Sequence, residues 1–275
     1  MSQPIPDLTD HALLRAYPGA EVVFDRAFVA LPGGRRGTPS DLSHAMDRAG
    51  PGGTGWPVIL FATGSRSFET PALLADWMRA AGLKAALVAP CTHLVPGRPR
   101  YHSPADAAVY AQVHALRRAE LDYVAARLAG HGAFDLTRVI VAGVSEGAVA
   151  AASWAPDCRF PRLLMSWSIE DTYFARDVTL PRDPSTPILN LMGWQDGYFG
   201  ARDSLSAAEQ VLGHGASRLA GYPQSRVILY PSAGHRLFDH PQTRDDVVAF
   251  LAQQLRALLS GAEAPSQLPQ FQNGE

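Results

Sequence analysis

The sequence predicts an α/β domain, with a mostly parallel central sheet and helices on both of its faces. Three observations carry this reading. Short apolar runs such as Pro57-Val-Ile-Leu-Phe-Ala-Thr63 and Arg138-Val-Ile-Val-Ala142 show no polar alternation, as strands covered on both faces require. Longer helix-patterned stretches separate such runs, and strand–helix alternation builds parallel sheets. The 275 residues are 47% apolar, enough to bury one large core.

Taken in order, Glu21–Phe24 and Ala27–Leu31 read as an opening pair of strands, followed by a Gly/Pro-rich connection. Pro57–Thr63 is the first buried strand. A helix over Pro71–Ala81 ends at Gly82, whose freedom at positive φ suits a C-terminal cap. Leu83–Ala89 is a short apolar strand stopped by Pro90, and residues 91–105 form an irregular loop rich in Pro, His and Arg. A helix over Ala105–Ala129 carries Val109, Val113, Leu116, Leu121, Val124 and Leu128, which approximate one buried face. Strand Arg138–Ala142 and a helix from about Ser145 follow. Leu163–Ser168, Ile188–Met192 and Val227–Tyr230 are the remaining strands, and Asp245–Leu259 is an amphipathic closing helix. Residues 1–260 are expected to form a single domain. The polar stretch 261–275 is expected to be a disordered tail. The connection after Ser168 is too short for a large inserted cap domain.

Composition narrows the function classes. A formal charge of −2 with dispersed acids and bases, and no basic stripe, argues against nucleic acid as a partner. Cys91 and Cys158 make no disulfide framework, and no Cys/His cluster has metal-ligand spacing, so neither metal nor cofactor is expected. The N-terminus lacks a basic and apolar leader pattern, and no apolar run approaches the roughly 20 residues that span a bilayer. A cytoplasmic protein without a membrane partner is expected; self-association as a homo-oligomer is left open.

The candidate chemistry begins at Gly143-Val-Ser145-Glu-Gly147. Chance alone supplies G-x-S-x-G in about one shuffled chain of this composition in seven, so the pattern needs context. It has it: an apolar strand gives way there to a helix. A sharp turn at that point would lift the Ser145 hydroxyl above the sheet and aim the Glu146 amide at a developing oxyanion. The bland alternative is a helix-capping serine in a glycine-rich turn. A serine nucleophile needs a base, and His235, in Tyr230-Pro-Ser-Ala-Gly-His235, directly follows the last strand. His240 is the rival, while His11, His44, His114, His131 and His214 read as solvated. The base needs an acid, and Asp196 lies in the Gly193-Trp-Gln-Asp196-Gly197 turn beyond Ile188–Met192, with Asp171 as the alternate. An Asp-Gly turn is common for its own reasons. The chain order Ser, Asp, His, each just past a different strand, is the stronger argument.

On these three motifs the chain resembles the α/β-hydrolases, and within them is similar to the dienelactone-hydrolase-like serine esterases, over most of residues 55–258. The resemblance implies the α/β-hydrolase fold and a carboxylic ester hydrolase that cleaves an ester or lactone of a small molecule through an acyl-enzyme. Dienelactone hydrolases carry cysteine where this chain has Ser145, so their lactone specificity does not transfer. Where the family often has His-Gly after its third strand, this chain has Thr63-Gly64-Ser65. The resemblance then implies a second oxyanion donor at the amide of Gly64 or Ser65. The same three residues would also serve an acyltransferase, a thioesterase or a C–C hydrolase. A non-catalytic binding protein on the same fold is the alternative from another class.

Glu146 is the awkward residue, because a carboxylate beside a developing oxyanion repels it unless turned away, paired or protonated. Arg66, Arg98 and Arg100 are the candidate partners, and an acid favoured by the helix N-terminus is the plainer explanation. Arg66, Arg98, Arg100, His93 and His102 also stand as candidates for holding an anionic part of the substrate. Trp194, Tyr198, Phe199 and Phe238 flank the acid and base loops and could line its pocket. Cys91 reads as a buried, inert thiol.

Overall fold

The computed structural model of the chain describes residue 13 and residues 15–47, 55–65, 68–103, 105–199 and 214–260. Its strands are β1 (Phe28–Ala30), β2 (Arg36–Gly37), β3 (Trp56–Ala62), β4 (Ala86–Ala89), β5 (Phe134–Val144), β6 (Arg162–Met165), β7 (Ile188–Gly193) and β8 (Ser225–Tyr230). Its helices are α1 (Val22–Asp25), α2 (Pro39–Met46), α3 (Glu69–Ala80), α4 (Ala107–Ala129), α5 (Glu146–Ser153) and α6 (Pro241–Leu259). These strands form one sheet in the order β2-β1-β4-β3-β5-β6-β7-β8. β1 is antiparallel to both β2 and β4, and every other neighbouring pair is parallel.

The unbroken apolar strands are explained by two separate cores. Val58, Leu60, Val139 and Val141 pack with α1, α2, α4 and α5, whereas Ile59, Phe61, Ile140 and Ala142 pack with α3 and α6. Successive side chains of one strand thus feed opposite faces, and both faces are dry. From β3 the chain moves outward to β4, then returns through α4 to β5 on the other side of β3. That reversal opens a crevice beyond the carboxyl ends of β3 and β5, where open α/β sheets hold ligands. No regular helix interrupts residues 166–187 between β6 and β7, consistent with a connection too short for a cap domain. Among the described residues no helix is long and apolar enough to cross a membrane.

Helix ends follow local chemistry. Gly82 takes φ +67° after α3; its amide donates to the Arg79 carbonyl at 3.1 Å, and the Leu83 amide donates to Met78 at 2.9 Å. This pair of bonds closes the helix as a Schellman motif. The closing helix begins at Pro241, four residues before the expected Asp245, because proline is suited to a first helical turn.

Three expectations need correction. Glu21–Phe24 is not a strand: residues 22–25 form a helical turn whose Val23 and Phe24 bury against α4, so packing overrides the strand preference of two adjacent valines. Within the Gly/Pro-rich connection lies a further helix, α2, opened by a capping box in which Thr38 and Asp41 exchange hydrogen bonds and Pro39 starts the first turn. Finally, α4 is buried nearly all round rather than on one face. It is enclosed by α1, α5 and the sheet, and its buried set includes His114, Arg117 and Glu120. His114 is therefore a core residue and not a solvated one. Residues 261–275 lie outside the described residues.

Candidate active site

The turn after β5 is built on two close approaches. A Cβ on Gly143 would lie 2.3 Å from the Gly147 carbonyl oxygen, and one on Gly147 would lie 2.1 Å from that of Ala62. No side chain fits at either position, so the glycines of the motif are steric requirements of the turn. Between them Ser145 adopts φ +56° and ψ −124°, a conformation non-glycine residues rarely hold, at a cost on the order of 1–3 kcal/mol. Its amide donates to the Met165 carbonyl at 2.9 Å, and α5 starts at the next residue.

The loops after β7 and β8 are locked together in the same way. A Cβ on Gly193 would lie 2.3 Å from the Gly234 carbonyl oxygen. The Trp194 amide donates to Tyr230 at 3.0 Å and the Gln195 amide to Ala233 at 2.9 Å. The buried Asp196 carboxylate accepts from the amides of Tyr198 (2.8 Å) and Phe199 (3.2 Å) through Oδ1. Its Oδ2 lies 2.8 Å from His235 Nδ1, and His235 Nε2 lies 3.1 Å from Ser145 Oγ. A carboxylate only accepts, so Nδ1 carries the hydrogen and Nε2 is left to accept from the serine. The Ser166 hydroxyl donates to the His235 carbonyl at 2.7 Å, and Tyr198 packs on the imidazole at 4.7 Å between ring centres.

Ser145 and His235 open into a cavity of about 350 Å³. Leu73, Phe174, Tyr198, Phe199, Leu237 and Phe238 make its apolar wall; Gly64 and Ser65 lie on one side, and Tyr101, His102 and Ser103 on another. Glu69 and Arg236, which pair with each other, also border it.

The carboxylate of Glu146 does not line this cavity and is wholly buried in a polar knot. Its Oε1 accepts from Arg98 Nη2 at 2.8 Å, from Arg117 Nε at 3.0 Å and from Arg117 Nη2; its Oε2 accepts from the Tyr101 hydroxyl. Burial alone would raise this carboxyl, but Arg117, Arg98 and Tyr101 outweigh it and hold Glu146 down to about 2. Burial and the same carboxylate push the Tyr101 phenol up, so it keeps the proton it donates. Arg117 also donates from Nη2 to the Gly64 carbonyl at 2.6 Å and from Nη1 to Glu120 Oε2 at 3.3 Å.

The sequence-derived candidates separate clearly. Ser145, Asp196 and His235 meet, and Gly64, Ser65 and Tyr198 line the cavity beside them. Of the expected substrate contacts, Arg98 instead turns inward to Glu146, because a buried carboxylate draws the nearest cation. Arg100 is exposed and does not line the cavity; Trp194, in the turn that carries Asp196, is exposed and does not line it either; His93 packs edge-on against Phe68. His102 does border the cavity. Arg66 lies outside the described residues. The rivals stand elsewhere: His240 stacks on Tyr230, and Asp171 bonds to the Asp177 amide and Arg218. Both cysteines are free and buried. Sequence reasoning missed Arg117 altogether, since a charged residue in a long helix reads as solvated. The one available signal was that an arginine at 117 falls next to Leu116 on the apolar face.

No protein-family model and no curated protein matches the chain. Among solved structures it is similar to esterase PE8, with 17% identity and a TM-score of 0.52 over 75% of this chain and 96% of that one. It is similar also to the carboxylesterase of Bacillus cereus, with 16% identity and a TM-score of 0.51 over 75% of this chain and 92% of the other. A protein of unknown function from Agrobacterium tumefaciens gives 18% identity and a TM-score of 0.50 over 75% and 94%. At these identities the likeness shows the fold alone: the chain has the α/β-hydrolase fold.

Proposed function

We propose that this α/β-hydrolase-fold chain is a serine esterase, cleaving a carboxylic ester or lactone of a small molecule through an acyl-enzyme on Ser145. The observation that carries the reading is the continuous chain Asp196–His235–Ser145, at 2.8 and 3.1 Å, opening into an apolar-walled cavity. In the reaction His235 Nε2 takes the Ser145 proton as Oγ attacks the carbonyl carbon. The amide of Glu146 and an amide of Gly64 or Ser65 hold the oxyanion. Collapse expels the alcohol, protonated by His235, and leaves the acyl group on Ser145. Water, deprotonated by His235, then releases the acid. Asp196 stabilises the imidazolium in both halves.

Structural likeness to esterases is in keeping with this reading, and so is the resemblance of the three motifs to dienelactone-hydrolase-like enzymes. We read the enzyme as cytoplasmic, with a small-molecule substrate and neither nucleic acid nor membrane as partner. The test is direct: the wild type should hydrolyse p-nitrophenyl acetate and take up a fluorophosphonate probe on Ser145. Ser145→Ala should lose the label and about 10³-fold or more in kcat. Full activity in that variant would overturn the assignment.

A further inference from the structure

Arg117 makes two bonds that no purely structural ion pair needs. Its guanidinium reaches the carboxylate of Glu146, the residue after the nucleophile, and its Nη2 donates to the carbonyl of Gly64, in the loop after β3. These are the two backbone segments that flank Ser145. In a trans peptide the carbonyl oxygen and the following amide hydrogen point to opposite sides. With the Gly64 carbonyl turned into the core toward Arg117, the Ser65 amide is turned away from Arg117, and both Gly64 and Ser65 border the cavity that holds Ser145. Gly64 also passes close to the nucleophile, since a Cβ built on it would lie 3.5 Å from Ser145 Cβ.

Resting on the esterase reading above, we propose that Ser65 supplies the second oxyanion amide and that Arg117 is the positioning residue that aims it. One planar cation fixes both halves of the oxyanion hole from behind: the Gly64–Ser65 peptide through its carbonyl, and the Glu146 amide through the side chain of the same residue. Arginine suits this task because its fork of donors is rigid and offers several directions at once, whereas a lysine ammonium offers a single point. Arg117 is buried, anchored also by Glu120 and Thr63, and does not itself line the cavity. Its action is therefore exerted through the two segments it holds, the Gly64–Ser65 peptide and Glu146.

The experiment compares wild type, Arg117→Lys and Ser65→Pro, which lacks the amide hydrogen. Each is checked for folding by circular dichroism and then assayed on p-nitrophenyl acetate and for inhibition by a trifluoromethyl ketone, whose serine adduct carries an oxyanion. In both variants kcat should fall by about tenfold to a thousandfold with KM within about twofold, and ketone affinity should weaken by the same factor as kcat/KM. A merely structural Arg117 would lower the melting temperature and leave kcat and ketone affinity of the folded protein unchanged, and that result overturns the positioning role. A folded Ser65→Pro with full kcat overturns the choice of amide, even if Arg117→Lys is poorly folded. Failure of the esterase reading itself looks different: the wild type would then show no Ser145-dependent hydrolysis or labelling at all.

Discussion

Arg117 and Arg162 are both buried, yet they sit at opposite ends of the sheet and are held by opposite kinds of partner. Arg117, near the carboxyl ends of the strands, faces Glu146 and Glu120; burial disfavours its charge, but the two carboxylates more than compensate, so its pKa is raised. Arg162 opens β6 at the amino end and donates to the carbonyls of Phe160, Trp154 and Ala155 at 2.6, 2.8 and 3.2 Å. Burial pulls it down to about 9. It clasps the turn between α5 and β6, where Ala155 sits at φ +44°. A cradle of carbonyls can satisfy donors and hold a strained turn. A carboxylate partner adds a second backbone segment under control, and at the end where the site lies that segment is the turn that carries Ser145.

The contrast predicts that losses at the site end register in rate as well as stability, and losses at the other end in stability alone. The largest effect should come from Asp196→Asn, which keeps the shape of the acid loop but offers His235 Nδ1 a different hydrogen-bond partner; kcat should fall by about 10⁴, read on a chromogenic ester. Next, Arg117→Met should cost about 3–5 kcal/mol in urea unfolding by leaving Glu146 and Glu120 buried without their main cation. Arg162→Met should cost about 1–3 kcal/mol for three orphaned carbonyls, with kcat of the folded protein unchanged. If Arg162→Met lowered kcat as Arg117→Lys does, the division between the two ends would collapse.

The smallest effect concerns acid sensitivity. Burial lowers His114 from 6.5 to about 4, so the folded protein refuses a proton that the unfolded chain accepts. Between those values the unfolded state binds more protons, and stability falls as pH falls. His114→Phe should narrow the drop in melting temperature between pH 7 and pH 5 by a few degrees. An equal drop in both proteins would show that another group governs it. Glu146 acts in the same direction at lower pH: its depressed pKa contributes stability present above about 4.5 and lost as pH falls toward about 2.

What could be read from the sequence was whatever local pattern alone dictates. The turn at Gly143–Gly147, the Gly193 turn and the loop holding His235 were legible because each follows an apolar strand, and strand ends are where such sheets gather side chains. The structure brings Ser145, Asp196 and His235 within hydrogen-bonding distance. The helix at Pro39–Met46 was hidden by its Gly/Pro-rich neighbourhood, although Thr38, Pro39 and Asp41 spell its start. The turn at Val22–Asp25 was misread because burial against α4, not local preference, decides it. Arg117 and the destination of Glu146 were illegible for a related reason: pairing across 29 residues leaves no periodic trace.

The loop at residues 91–103 carries no helix or strand, yet Arg98 and Tyr101 fasten it to the carboxylate of Glu146, the residue after Ser145. In hydrogen-exchange terms the anchored loop should open less readily than a free one: the Cys91 and Arg98 amides, which donate to Val23 and Val95, should exchange slowly despite their irregular conformation. A bulkier ester would then find that wall of the cavity unyielding. Accommodation would fall to the part of the cavity bordered by Glu69 and Arg236, which meet through an exposed ion pair that opens at little cost.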